Sequence, residues 1–424
     1  MKAVILAAGR GTRLGGVVKP LLKVAGREIL SRTILLLLPY VDEFVIVAHS
    51  DKIAEYMEKN WKGRVRYTIV HNPAPERGNG YSFFLACKYL KEILSQSEKF
   101  ILVMGDHVYS KEFIEKAVKG EGLICDCNPK YINVDEATKV KCCNGRVENI
   151  GKNLKSFDCI DTGFFVLTPE IFSVAEEAVG EKEVVILSEI VRRAKLKVSH
   201  VSGQFWVDID TKEELRKAKK HLLRLSVKGY GDGFVARNFN RRLSLPISER
   251  IVDFANPNQL TILTFLFGIF SAFVALVNTP LGGILYQISS ILDGIDGEVA
   301  RASLKTSRFG AWLDSILDRY VDFAFLLALA IVSKAWLISL FALIGLVMVS
   351  YSTERYKAAY FEDVYKKIPV MKYLPGKRDE RIFTIMIFCL LGYITELLWL
   401  LAVLTNARVL ATMLVVWKYE SSNK

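Results

Sequence analysis

The chain has 424 residues, enough for two or three domains, and 51% of them are hydrophobic. Its formal net charge is +12, but the basic residues crowd two stretches, 216–250 and 355–381, that flank long apolar runs. This placement follows the positive-inside rule of membrane proteins, and it excludes nucleic-acid binding as the reason for the charge. The opening residues have no pattern of a cleavable signal peptide.

Residues 1 to about 220 alternate between strand-like and helix-like stretches. We expect a Rossmann-like α/β domain with a mostly parallel sheet and helices on both faces, which binds ligands at the carboxyl ends of its strands. The stretches are Ala3–Ala8, Ile29–Leu38, Glu43–Ala48, Ile53–Asn60, Val65–Val70, Tyr81–Leu94 and Phe100–Met104.

A glycine-rich turn follows the first predicted strand, in the string Leu6-Ala7-Ala8-Gly9-Arg10-Gly11-Thr12-Arg13-Leu14, and Lys19-Pro20-Leu21 comes soon after. Such a turn exposes backbone N–H groups that bind phosphates. Arg13 and Lys19 would offset the charge of a departing pyrophosphate. The string resembles the nucleotidyltransferases that activate sugars and alcohols as nucleoside diphosphate derivatives.

That resemblance implies in-line attack by an acceptor phosphate on the α-phosphorus of a nucleoside triphosphate. It implies that Asn79 and Ser82 read the base, although Gly80 between them is smaller than in phosphorylcholine-type relatives. Mg²⁺ would bind Asp106 and Asp208, with or without Asp210, and Lys152 would lie on the acceptor side with the segment 161–163. The alternative for the three aspartates is turn formation at strand ends.

Four of the seven cysteines lie close together in sequence, at Cys125, Cys127, Cys142 and Cys143. Their spacing is not C-x-x-C and no histidine is nearby, which argues against zinc. We expect small buried residues in a pair of strands, and a disulfide stays open as an alternative.

The junction 211–253 is polar and basic. Thr211–Leu225 is predicted to be a helix, Gly229–Gly233 a linker, and Arg237–Phe254 an amphipathic helix on the membrane surface. Its apolar face would contain Phe239, Leu243, Leu245, Ile247 and Ile251. We therefore divide the chain into a nucleotidyltransferase domain at 1–228, a linker with the juxtamembrane helix at 229–256, and a membrane domain at 257–424.

Six apolar segments, each near the roughly 20 residues that a bilayer requires, follow the junction. The loops at 278–280, 333–334 and 395–396 are nearly free of basic residues, so we expect both termini and the active sites on the cytoplasmic side. A buried, all-helical soluble core is the alternative. The predicted spans are 259–277, 281–299, 310–332, 335–353, 380–395 and 397–417.

Four aspartates recur within two of these segments, in the strings Asp293-x-x-Asp296-Gly297-x-x-Ala300-Arg301 and Gly310-x-x-x-Asp314-x-x-x-Asp318. Steps of three and four residues keep side chains on one helix face. Carboxylates are costly at membrane depth, and oxygen-rich sites bind Mg²⁺, Mn²⁺ or Ca²⁺. Buried acids that only pair with Arg301, Arg308 and Arg319 are the alternative.

The two strings resemble the signature of the CDP-alcohol phosphotransferase family, which implies a six-helix membrane fold with a paired metal site, normally dimeric. Asp293, Asp296, Asp314 and Asp318 would bind Mg²⁺ or Mn²⁺, and Asp318 would also be the general base. The nucleotide and donor would contact the residues Pro257, Asn258, Thr261, Gly297 and Arg301.

The combination of domains is itself informative, because a cytidylyltransferase makes a CDP-alcohol and a CDP-alcohol phosphotransferase consumes one. It resembles the bifunctional enzymes of di-myo-inositol phosphate synthesis. The resemblance implies that CTP and inositol 1-phosphate give CDP-inositol and pyrophosphate. A second inositol 1-phosphate then takes the inositol phosphate group and CMP is released. We expect the acceptor phosphate to bind Arg355, Lys357, Arg378 and Arg381, whose alternative role is membrane topology.

Three other functions remain. In the first, the second domain uses CDP-diacylglycerol and makes a phosphatidylinositol-type lipid, which product analysis would detect. A nucleotide-sensing transporter or receptor would bind CTP without releasing pyrophosphate. A cytidylyltransferase with an inert anchor would be indifferent to the loss of Asp318. Our expectation is a homodimer in the lipid bilayer that binds no nucleic acid.

Overall fold

A computed structural model describes residues 1–9, 11, 14–227 and 233–422. The chain divides into two compact units, Met1–Leu222 and Leu223–Lys424, and each is described by itself. Residues 229–232 of the predicted linker lie outside the described part of the chain.

The first unit is built on a nine-stranded sheet whose main order is β10-β9-β11-β6-β1-β4-β5, with β8 on β11 and β12 on β8. Strands β6, β1, β4 and β5 are parallel, whereas β8, β9, β10 and β11 pair antiparallel. The expected parallel arrangement is therefore found in the part of the sheet from β6 to the edge strand β5, and in the pair of β8 and β12. The strands are β1 (Lys2–Ala7), β2 (Lys23–Val24), β3 (Arg27–Glu28), β4 (Glu43–Ala48), β5 (Tyr67–His71), β6 (Phe100–Met104), β7 (His107–Tyr109), β8 (Gly122–Asp126), β9 (Lys139–Cys143), β10 (Arg146–Gly151), β11 (Cys159–Leu167), β12 (Val198–His200) and β13 (Trp206–Asp208).

Buried strand residues such as Val4, Val45 and Leu102 pack with Phe83 and Leu90 of a helix in one core. Each fully buried side chain of this kind stabilises the folded state by about 1.5–3 kcal/mol. The helices are α1 (Ile29–Leu37), α2 (Asp51–Trp61), α3 (Asn79–Leu90), α4 (Lys111–Ala117), α5 (Ile171–Glu181), α6 (Leu187–Arg193) and α7 (Lys212–Leu225), the last confirming the predicted closing helix.

The cysteines do not gather as a group of four. Cys125 is buried in β8, whereas Cys142 and Cys143 lie in β9 as free thiols. A disulfide joins Cys127 to Cys159 at the start of β11. A disulfide, the alternative left open by the sequence, is therefore present. The partner of Cys127 is 32 residues away, which the spacing of the four neighbouring cysteines did not indicate.

The second unit is helical. A π-helical turn at Ala236–Asn240 leads into its first helix. The helices are α8 (Arg241–Ile251), α9 (Pro257–Val277), α10 (Thr279–Ala302), α11 (Arg308–Ser333), α12 (Trp336–Tyr360), α13 (Val364–Lys367), α14 (Arg378–Leu391) and α15 (Ile394–Ser422).

Among the described residues, three helices are long and apolar enough to cross a membrane. They are α9, α12 and α15, with mean hydropathies of 2.5, 1.9 and 1.8. Helices α10 and α11 carry the acidic strings, and α14 has only 14 residues because Gly392 ends it at a φ of 78°. Six helices match the predicted segments, three of them are candidate spans, and these three indicate association with a membrane.

The apolar side chains of the predicted juxtamembrane helix lie partly at the protein surface. Phe239, Leu243 and Ile247 are exposed, whereas Leu245 and Ile251 are half-buried. The opposite side of α8 is polar and packs against α10, a contact that the amphipathic pattern did not predict.

Two candidate active sites

The first site is a cavity of about 410 Å³ in the first unit. It opens where β1 and β6 end, because parallel strands bring their carboxyl ends to one edge of the sheet. Predicted residues from widely separated stretches line it, namely Gly9, Gly11, Lys19, Asn79, Asp106, Lys152, Asp208 and Asp210. Leu6, Ala7, Ala8 and Ser82 line the adjoining pocket. Thr12 and Arg13 lie outside the described residues.

Lys19 is the centre of charge in this cavity. Its ammonium Nζ lies 3.2 Å from Asp106 Oδ2 and donates a second hydrogen bond to Asp210. Burial lowers the pKa of Lys19, but the two carboxylates outweigh burial, so this pKa is raised above its ordinary value. Lys19 is therefore a fixed cation beside two carboxylates.

His107 is a member of this site that the sequence did not single out. Its Nδ1 lies 2.8 Å from Asp106 Oδ1, and its ring stacks on Trp206 with centroids 6.2 Å apart. Burial would raise the pKa of Asp106, but His107 and Lys19 hold it well below its ordinary value. Asp106 is thus an oriented, ionised carboxylate. The signal for His107 was its place directly after Asp106 at a strand end.

The predicted base-reading segment begins α3. The Asn79 side chain accepts a hydrogen bond from the Leu187 N–H at 2.8 Å, and Ser82 accepts one from Asn72 at 2.9 Å. The small size of Gly80 has a packing reason: a Cβ there would lie 2.8 Å from the carbonyl oxygen of Val185. A larger residue would displace the loop that meets Asn79.

Lys152 and Asp161 also line the cavity. Asp161 Oδ1 accepts a hydrogen bond from the Gly163 N–H at 2.8 Å. Burial raises the pKa of Asp161 to about 6, against the opposing effects of that hydrogen bond and of His107. The cavity therefore contains two lysines, Lys19 and Lys152, and an additional carboxyl group at Asp161.

The second site is formed by the acidic strings in the second unit. Carboxylate oxygens of Asp293, Asp314 and Asp318 lie within 4.8 Å of one another. Asp296 is buried and accepts a hydrogen bond from Thr261. An all-oxygen set of converging carboxylates fits a hard divalent cation such as Mg²⁺. Three of the four predicted acids, Asp293, Asp314 and Asp318, therefore converge between two helices, and Asp296 is not among these three.

Arg378 lies within this cluster. Its guanidinium contacts Asp293 Oδ2 at 3.0 Å and Asp318 Oδ1 at 2.8 Å, and its Nε lies 3.2 Å from Asp322 Oδ1. Asp322 is 1% exposed and also accepts a hydrogen bond from Tyr286 at 2.6 Å. Asp322 was not among the acids predicted from the sequence, although Asp322 continues the four-residue spacing of Asp314 and Asp318.

Of the predicted nucleotide-binding residues upstream of the acids, Thr261 lies at this cluster. Pro257 occupies the first turn of α9, after Asn256, whose side chain caps the helix. A Cβ on Gly310 would lie 2.9 Å from Asn258 Oδ1, so the starts of α9 and α11 are close together. On α10, a Cβ on Gly297 would lie 2.8 Å from the Arg301 guanidinium.

The four predicted acceptor-phosphate residues do not converge. Arg378 is among the carboxylates, whereas Arg381 is buried and donates to the Gly376 carbonyl at 3.3 Å. Arg355 and Lys357 are exposed on α12, and no contact with the carboxylates is found for them among the described residues. Of the four, Arg378 alone has the geometry to act beside Asp318.

Comparison with known protein families gives two matches. Residues 3–121 match the MobA-like NTP transferase domain, and residues 254–417 match the CDP-alcohol phosphatidyltransferase family. The first match covers Lys19 and Asp106 of the first site and ends before Lys152 and Asp208. The second match contains all of the second site.

Full-length relatives carry one name, bifunctional IPC transferase and DIPP synthase. The Archaeoglobus fulgidus protein is 52% identical over 98% of this chain and 84% of its own length. The Aquifex aeolicus protein is 53% identical over 99% of both chains. A solved structure, the inositol-1-phosphate CTP transferase from T. maritima, is 27% identical over 51% of this chain and 96% of its own, with a TM-score of 0.44.

Proposed function

We propose a function from one premise: the chain belongs to the family named bifunctional IPC transferase and DIPP synthase. It is an enzyme with a nucleotidyltransferase domain and a CDP-alcohol phosphotransferase domain. The first site joins CTP and inositol 1-phosphate to give CDP-inositol and pyrophosphate. The second site transfers the inositol phosphate group to another inositol 1-phosphate and releases CMP. The convergence of Asp293, Asp314 and Asp318 around Arg378 is the observation that carries the second step.

In the first step, a phosphate oxygen of inositol 1-phosphate attacks the α-phosphorus of CTP, and the bond to the departing pyrophosphate breaks. Lys19 is held by Asp106 and Asp210 where it can neutralise charge on the phosphates. Lys152 lines the acceptor side. Asp106 and Asp208, with Asp210, would hold Mg²⁺, which supplies further neutralisation of phosphate charge when bound.

In the second step, a hydroxyl of the acceptor attacks the phosphorus attached to inositol in CDP-inositol. The bond from that phosphorus to CMP breaks, and CMP leaves. Asp318 takes the hydroxyl proton. Arg378 contacts Asp318, so an acceptor phosphate held by this guanidinium would bring its inositol ring next to the base. The remaining acids would hold Mg²⁺, which stabilises charge on the transferred group when bound.

We propose that the six helices α9, α10, α11, α12, α14 and α15 all cross the membrane, with both sites on the cytoplasmic side. Exposed apolar side chains such as Leu263, Leu337 and Leu414 support contact with lipid. A cysteine replacing Lys334, in the predicted external loop, should react with an impermeant maleimide on intact cells. Labelling only after lysis would contradict this topology. The homodimer stays a prediction.

Phosphorus NMR tests the pair of reactions. The detergent-purified protein, given CTP, inositol 1-phosphate and Mg²⁺, should produce pyrophosphate, CMP and a new inositol phosphodiester together. Chelation of Mg²⁺ should stop both steps. CDP-inositol without CMP would mean that inositol 1-phosphate is not the acceptor, and lipid-linked alcohols would be tested next. Absence of pyrophosphate would reject inositol 1-phosphate as the substrate of the first step.

A further inference from the structure

A row of polar side chains joins the juxtamembrane segment to α10, although both elements border apolar surroundings. Asn240 accepts a hydrogen bond from Gln287 at 3.0 Å and donates one to Ser290 at 3.4 Å. Arg241 donates to the Gly294 carbonyl at 3.3 Å. We call this row the polar seam, defined by Asn240, Arg241, Ser244 and Ser248 on one side and Gln287, Ser290, Gly294 and Glu298 on the other.

Glu298 completes the polar seam. Its side chain is 0% exposed. One carboxylate oxygen accepts hydrogen bonds from Arg241 at 2.8 Å and Ser244 at 2.7 Å, and the other accepts one from Ser248 at 2.6 Å. Three side chains on successive turns of α8 therefore donate hydrogen bonds to a single carboxylate of α10.

The polar seam lies on the back of the helix that carries the acids. Successive α-helical residues are about 100° apart, so Glu298 projects roughly 200° round from Asp296. Glu298 is thus directed away from the carboxylate cluster, even though it lies inside the string from Asp293 to Arg301. Its charge is compensated by Arg241, so Glu298 is not itself a member of that cluster.

A buried ion pair contributes little net stability, because desolvation of both charges opposes their attraction. Directional hydrogen bonds between helices instead fix one rotation and one axial register. Apolar contacts alone would let one helix rotate or slide along the other. The register of α10 matters here because Asp293 must meet Asp314 and Asp318 of α11 within 4.8 Å. A shift of one residue would move Asp293 along the axis by about 1.5 Å and rotate it by about 100°.

We propose that Glu298 is a positioning residue for the transfer reaction, which locks α10 against α8 in the register that brings Asp293 and Asp296 to the carboxylate cluster. The inference rests on the proposed function of the second site. Loss of the Glu298 hydrogen bonds therefore weakens cation binding by that cluster, whereas a residue with only a packing role would lower stability alone.

The test compares full-length variants in detergent, all with Asp106→Asn so that cation binding at the first site is suppressed. Mn²⁺ binding is followed by electron paramagnetic resonance, thermal unfolding is recorded, and transfer from supplied CDP-inositol is measured. Glu298→Ala should weaken Mn²⁺ binding and lower kcat by about tenfold or more, as loss of a partner behind a metal ligand does. Glu298→Gln, whose amide oxygen still accepts from one serine and whose amide N–H can donate to the hydroxyl of the other, should recover most of the binding.

Thr405→Val is the matched control. Thr405 is fully buried in α15 and donates to the Leu401 carbonyl at 2.7 Å, so Thr405→Val also removes a buried hydrogen bond of the second unit and should leave Mn²⁺ binding intact. If Glu298→Ala behaves like this control, the proposal is wrong. If Glu298→Gln is as defective as Glu298→Ala, the charge matters rather than the register, and the proposal is equally wrong.

Two further arrangements keep the test decisive. Should Glu298→Ala not fold, Ser244→Ala with Ser248→Ala removes two of the three donors and should still weaken Mn²⁺ binding several-fold; unchanged binding would overturn the proposal. If the parent protein transfers nothing from CDP-inositol while the seam variants lose Mn²⁺ affinity, the proposed function fails and the positioning role of Glu298 stands.

Discussion

Asp106→Asn should abolish pyrophosphate release from CTP and inositol 1-phosphate while transfer from supplied CDP-inositol continues. Asp106 lies at the end of β6, 3.2 Å from Lys19 and 2.8 Å from His107. An amide keeps the shape of the side chain but loses the charge that orients Lys19 and would hold Mg²⁺. Removal of one such electrostatic element lowers the rate by about 10²–10³. The measurement is pyrophosphate release in parallel with CMP release from CDP-inositol.

Asp42→Asn provides the control for this change of charge. Asp42 is in the same unit, exposed, and paired with the N-terminal ammonium 2.6 Å away, far from the lining of the cavity. It should leave both activities unaltered. Loss of both activities in Asp106→Asn, with its unfolding temperature unchanged, would contradict the independence of the two sites.

Asp318→Asn should have the converse effect, so that CDP-inositol accumulates and CMP is not released. Asp318 lies with Asp293 and Asp314 and forms an ion pair with Arg378 at 2.8 Å. An amide cannot take the proton of the acceptor hydroxyl, and loss of a general base lowers rates by about 10²–10⁴. Arg378 keeps its contacts with Asp293 and Asp322, so we expect the fold to survive. Phosphorus NMR distinguishes accumulated CDP-inositol from product.

Glu396→Gln is the companion control, because Glu396 is exposed in the first turn of α15. It changes a carboxylate to an amide in the same unit and should not affect either step. Continued CMP release by Asp318→Asn would remove Asp318 from its proposed role and would favour an anchor without catalytic activity.

Local sequence was most informative where chemistry depends on neighbours along one element. Asp314 and Asp318 are one helical turn apart, so their common face followed from helical periodicity, and the structure adds Asp293 to the same cluster. The glycine turn after β1 was likewise visible, since a buried apolar run followed by glycines marks the end of a strand. These features are local, and their geometry is fixed by the repeat of the backbone.

Other features depended on contacts between distant residues. Lys19 meets Asp210 across 191 residues, and no pattern in the sequence paired these two residues. The four basic residues proposed for the acceptor were equivalent in sequence, yet only Arg378 reaches the acids. The choice depends on how α14 packs beside α10 and α11, which no periodic pattern records.

The sequence by itself determined that the chain has two chemistries, because a glycine turn with Lys19 and a spaced string of aspartates each require particular residues at fixed intervals. Only the tertiary structure decided that His107 and Asp322 belong to these sites, and that Glu298 turns its carboxylate to α8 rather than to the acidic cluster. The physical reason is that a helix fixes the angle between its own side chains. The residue that each side chain contacts in another element is fixed only when the elements pack together.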